Sequence, residues 1–159
     1  MKRETIFLKL AVFLIGAPVL ALCIFVLPWI AKDAAESGWE LAYFLYGILI
    51  VMYVSAIPFF VALYQAFQLL NYIDKNKAFS ELSVRALKII KFCAITISGL
   101  YLASMPFFYL IGEIDDAPGV IVIGMVLTFA PMVVAVFAAV LQKLLKNAID
   151  IKSENDLTV

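Results

Sequence analysis

The residues of this chain that could do chemistry fall into separate groups. Lys77, Arg85, Lys88 and Lys91 lie within one polar stretch, Asn71 to Lys91, and the last three recur every three residues. A helix carries such a series along one side, where fixed cations suit lipid phosphates or an anionic partner surface. Asp33, Glu36 and Glu40, with Glu113, Asp115 and Asp116, offer the carboxylate oxygens that a hard cation prefers. They lack the calcium-loop pattern and read as a solvated acidic surface, so no metal is expected. Gln65, Gln68 and Asn71 fall three to four apart on one face, but where their helix should leave the membrane, and interfacial amides need no further role there. The chain has no histidine, which removes histidine metal sites and histidine acid–base catalysis. Cys23 and Cys93 sit in apolar runs as small buried hydrophobes, with no structural disulfide expected. There is no Gly-rich phosphate loop, no Ser/His/Asp or Cys/His set and no metal-ligand spacing. The expectation is a chain that is not an enzyme and needs no cofactor.

The elements that must position these groups follow from composition. The chain has 159 residues, is 65% hydrophobic and only 15% charged, and has a mean hydropathy of +1.06. Soluble domains use about 45–50% apolar residues, so this is an integral membrane protein. Its apolar pattern predicts helices over about 6–30, 41–73, 81–111 and 119–149, with a cytoplasmic loop at 74–80 and outer loops at 31–40 and 112–118. The expected fold is all-α, an integral membrane four-helix bundle forming a single transmembrane domain over 1–159. The basic start and the run ending Leu20-Ala21-Leu22-Cys23 also resemble a cleaved lipoprotein signal. Leu22 is too large before the cysteine and the run continues, so an uncleaved first helix is expected. Trp29, Trp39 and Tyr43 suit the outer interface. Ser80 is placed to cap the third helix, with Glu81 in its first turn, and the tail Asp156-Leu157-Thr158-Val159 is expected to fray.

Net charge is zero, but the charges are segregated. Lys2, Arg3, Lys9, Lys75, Lys77, Arg85, Lys88, Lys91, Lys143, Lys146 and Lys152 fall on one side, and Lys32 alone on the other. Eleven cations against one put the basic side and both termini in the cytoplasm of a bacterial cell (inner) membrane protein.

Two halves echo one another. Leu27-Pro28-Trp29-Ile30 matches Met105-Pro106-Phe107-Phe108 in position, and Asn71-Tyr72-Ile73-Asp74 matches Asn147-Ala148-Ile149-Asp150. These echoes point to two duplicated helical hairpins related by an axis along the membrane normal; chance likeness among apolar residues is the competing reading. Pro18, Pro58, Pro106 and Pro131 fall inside apolar segments, either as gates or as kinks that shape packing. Ala17 with Ala21, Gly99 with Ala103 and Ala135 with Ala139 are small pairs that permit close helix contact, within the chain or in a homo-oligomer. From Leu10 to Ile30, Leu41 to Leu63, Phe92 to Ile111 and Gly119 to Leu141 there is no charged residue, which argues against a proton relay or ion-coupled transport.

Three stretches carry a likeness across nearly the whole chain: Asn76-Lys77-Ala78-Phe79-Ser80, Leu87-Lys88-Ile89-Ile90 and the ending Ser153-Glu154-Asn155-Asp156-Leu157-Thr158-Val159. They resemble a bacterial family of small four-helix membrane proteins of unknown function. Its members have a Gly-x-Pro-Phe-Ser type turn before the third helix, are often encoded beside a helix-turn-helix regulator, and have no assigned chemistry. Here Asn76-Lys77-Ala78 replaces the glycine and proline of that turn. The expected function is association, regulatory or protective, through the cytoplasmic face around Lys77, Arg85, Lys88 and Lys91. Membrane lipid or a cytoplasmic or membrane protein partner is engaged there, with no direct nucleic acid binding. The alternative is a small oligomeric channel or carrier, which needs polar positions at mid-membrane depth. Thr96, Ser98, Ser104 and Thr128 are modest exceptions, and such hydroxyls are expected to bond back to a helix.

Overall fold

The computed structural model describes residues 2–38, 40 and 42–157; Met1, Trp39, Leu41, Thr158 and Val159, and the side chain of Lys2, lie outside the described residues. The elements are α1 (Lys2–Ala21), a π-helical turn (Leu22–Val26), α2 (Leu27–Ser37), α3 (Ala42–Asp74), α4 (Glu81–Ile114) and α5 (Pro118–Leu157). No strand occurs among the described residues. The first three elements run on as one rod, so the fold is four rods, each long and apolar enough to cross a membrane. α5 has 40 residues, about 60 Å at the helical rise, roughly twice the thickness of a bilayer core.

α1 starts at Lys2 and α4 runs to Ile114, into the stretch expected as the outer loop 112–118, and the helices outrun their expected limits furthest in two other places. The stretch expected as an outer loop at 31–40 is helical to Ser37, because Ala31, Lys32, Ala34, Ala35 and Glu36 are good helix formers. Gly38 stops it with φ +66°, the left-handed conformation that a helix end favours in glycine. The last helix was expected to stop near Ile149 and the tail to fray, yet α5 continues to Leu157. Lys146 and Asp150, and Lys152 and Asp156, stand four apart with opposite charge, a pattern that supports an exposed helix.

Between α3 and α4 the chain turns tightly at Asn76, whose φ is +58°. Asparagine tolerates this left-handed position better than most residues other than glycine, which explains how the chain makes the turn without the family's glycine. Ser80 occupies the N-cap position of α4, but its side chain does not cap. Its hydroxyl donates to Lys77 O at 2.5 Å, and the Ser83 hydroxyl donates to the same carbonyl at 3.2 Å. The tight turn brings that carbonyl within reach and wins the competition for the hydroxyl.

α4 is the central rod, packed on α3 along one side and α5 along the other, while α1 and α2 lean on α3. The residues that α5 buries are small, Gly124, Thr128, Ala135 and Ala138, and the Ser98 hydroxyl of α4 donates across to Thr128 O. Small side chains let helix backbones approach closely, which is how helices associate where hydrophobicity gives no preference over lipid. At Gly124 the approach is tight enough that a Cβ would stand 2.8 Å from Phe108 Cγ. Ile48, Tyr101, Phe108 and Ile111 form the buried core beside it. Of the other small pairs, Ala17, Ala21, Gly99 and Ala103 stay exposed.

The helices pass through Pro18, Pro58, Pro106 and Pro131 without a break. The break in register comes instead at Leu22–Val26, where Leu27 N–H reaches back to Leu22 O. The same π register would pair Cys23 O with the nitrogen of Pro28, which carries no hydrogen. The Tyr53 hydroxyl from α3 donates to Cys23 O at 2.8 Å and fills that vacancy.

Candidate functional site

Antiparallel packing gathers the start of α1, the α3–α4 turn and the end of α5 at one end of the bundle, here the basic end. Lys77, Arg85 and Lys88 are exposed there, whereas Lys91 is half-buried with its ammonium 4.9 Å from the Phe92 ring centre. Lys143 and Lys146 are exposed on the outgoing part of α5. These cations are carried by three elements, the α3–α4 turn, α4 and α5.

An ion pair that sequence reasoning did not find sits beside it. Lys9 Nζ lies 2.8 Å from Asp74 Oδ2, the two side chains being 23% and 16% exposed. The buried Thr5 hydroxyl donates to the other oxygen of the same carboxylate, and the Lys9 ammonium also stands 5.5 Å from the Phe67 ring centre. Thr5 and Lys9 share a face of α1, one turn apart, and Asp74 ends α3, so the cluster ties the two helices at the basic end. The available signal was the four-residue spacing of Thr5 and Lys9; nothing in sequence says that Asp74 comes to meet them.

The remaining candidates stay apart. The carboxylates of the acidic end, Asp33, Glu36, Glu40, Glu113, Asp115 and Asp116, are not gathered into a group that could hold an ion, among the described residues. Gln68 donates to Tyr64 Oη at 2.7 Å and Asn71 to Gln68 Oε1 at 3.5 Å, a chain running along α3. Cys23 and Cys93 are free thiols on different rods. In the spans, Thr96, Ser104 and Thr128 donate to carbonyls of their own helices, and Ser98 donates across to Thr128 O at 2.7 Å.

The second feature is a cavity of about 580 Å³ walled by all four rods. Val19 of α1, Ala56 and Ala62 of α3, Ala94 of α4, and Ala130 and Val134 of α5 are among its lining. The void exists because alanines face inward where larger side chains would fill it. Its two hydroxyls satisfy one another: Ser55 donates to Met52 O at 2.9 Å, so Tyr101, at 2.9 Å from Ser55 Oγ, donates to Ser55. Among the described residues no buried side-chain polar atom lacks a partner, so the wall offers water nothing to bind. Sequence reasoning missed the void, because a cavity depends on which faces meet and not on any one segment.

The comparisons agree with this architecture. Residues 29–159 match a family described as a protein of unknown function, DUF2975. The chain is 68% identical over 158 residues to the uncharacterized membrane protein YoaS of Bacillus subtilis (strain 168), covering 99% of each chain. No solved structure matches. The resemblance read from the turn at 76–80 and from the ending at 153–159 thus finds its family: a multi-pass membrane protein with four spans, the chain belongs to DUF2975.

Proposed function

We propose that this protein is a non-enzymatic component of the bacterial cell membrane that acts by association, with its basic end and both termini in the cytoplasm. The role is regulatory or protective, and the working surface is Lys77, Arg85, Lys88 and Lys91 with the neighbouring Lys143 and Lys146. The observation that carries this reading is the concentration of exposed cations at one end of a bundle whose mid-depth interior is apolar and hydrogen-bonded within itself. Anionic lipid at the inner leaflet, or an acidic face of a cytoplasmic or membrane partner, matches that chemistry. A channel or carrier of polar solutes lacks support, because the hydroxyls at mid-depth are engaged with backbone or with one another.

Each basic side chain near a charged leaflet contributes about 1 kcal/mol. Changing Arg85, Lys88 and Lys91 together to glutamine is therefore expected to reduce retention of phosphatidylglycerol on the purified protein by roughly a hundredfold. Native mass spectrometry of mixed phosphatidylglycerol and phosphatidylcholine micelles reads that loss. Retention equal to that of the unchanged protein, with no partner lost in cross-linking from native membranes, would refute the reading.

A further inference from the structure

The cavity has no part in association at the basic end, and its shape points elsewhere. Its floor is buried, with Leu27, Ser55, Ala94 and Tyr101 all largely closed to the exterior. Its mouth is not: Ile15 of α1 and Val126 and Val134 of α5 line it while remaining 53%, 57% and 50% exposed. α1 makes its main packing against α3, so α1 and α5 flank the opening without closing it. The π-helical turn contributes Leu22 and Cys23 to the wall, and such turns recur at functional sites in helices. All of this lies in apolar stretches, so the mouth opens sideways into hydrocarbon and not toward water.

We infer that this cavity is a binding site for a single acyl chain of a membrane phospholipid, which enters laterally between α1 and α5. The chemistry of the wall selects the occupant. Ser55 and Tyr101 have each other and Met52 O as partners, so an ion or polar solute would give up its hydration for nothing. A further helix, from a second copy or a partner, packs closely on faces with small residues four apart. Ala62 and Ala66 of α3 are such a pair in the wall, but a helix is about 10 Å across and fills roughly 420 Å³ per turn, so a void of about 580 Å³ admits little more than one turn of it. A flexible hydrocarbon chain has no polar group to satisfy and conforms to an irregular apolar void. The bilayer supplies it at the mouth.

The test reconstitutes the full chain in phosphatidylglycerol vesicles containing a phospholipid with a diazirine at the middle of one acyl chain. Irradiation followed by peptide mapping reports which residues the chain reaches. Adducts are expected on the floor at Ala56, Ala94 and Tyr101, besides those on the outward residues Ile123 and Phe137. Filling the cavity with Ala130→Trp, or independently with Ala62→Phe, is expected to cut floor adducts roughly tenfold, the loss that follows from excluding about two methylenes. The outward adducts stay unchanged and report that each variant is inserted and folded. Labelling confined to outward residues in the unchanged protein overturns the inference. So do floor adducts that both filled variants leave undiminished, or protein–protein cross-links from a second copy at the floor in place of lipid.

Discussion

Gly124 sets how closely α4 and α5 approach, because Phe108 Cγ and Met105 Sδ would stand 2.8 and 3.0 Å from any Cβ placed there. Gly124→Leu is expected to lower stability by about 1–3 kcal/mol, the usual cost of forcing volume into a packed contact, read as an earlier midpoint of unfolding in mixed micelles. The Lys9–Asp74 pair is a second single-residue determinant, part-buried and supported by Thr5. Asp74→Asn and Lys9→Met should each destabilise by about 1–3 kcal/mol, since each leaves a partly buried charge without its ion partner. A double-mutant cycle checks this: the two losses should fall well short of adding, whereas full additivity would mean that the ion pair contributes nothing. Residues like these separate what sequence reveals from what it hides. Arg85 and Lys88 were legible as exposed neighbours because three-residue spacing on a helix fixes their side. Asp74 was not, because its partner is brought to it by tertiary packing.

At the scale of elements, hydropathy located all four rods, and the ends were harder to place. A window of apolar residues marks where lipid begins but not where a helix stops, so the polar Lys32 to Glu36 was read as loop and the last helix as ending near Ile149. The π turn was equally hidden. It reflects an arrangement among Pro28, the Cys23 carbonyl and a tyrosine on another helix. Tyr53→Phe removes the hydroxyl that donates to that carbonyl and is expected to cost about 1 kcal/mol, as interhelical hydrogen bonds in membranes do. Greater hydrogen exchange in the Leu22–Val26 segment of Tyr53→Phe would register it, and unchanged exchange would show that the carbonyl has another partner.

The whole molecule has a basic end and an acidic end, and it is their orientation across the membrane that gives the association reading its place. Eleven cations lie on the side of the Lys75–Ser80 turn and Lys32 alone lies on the other, an asymmetry that supports the proposed placing of the basic side in the cytoplasm. The fold class was legible because composition alone demands a membrane solvent and four apolar runs demand four crossings. The cavity was not, since alanines at 56, 62, 94 and 130 read as ordinary helix formers until four rods turn them toward one another. The measurement that bears most directly on the account is sidedness in intact cells. In a background with Cys23 and Cys93 changed to alanine, Ser37→Cys, Ala117→Cys and Ser80→Cys are each exposed to a membrane-impermeant maleimide. The account predicts labelling of Ser37→Cys and Ala117→Cys from outside, with Ser80→Cys labelled only after the membrane is opened; labelling of Ser80→Cys in sealed cells would contradict it.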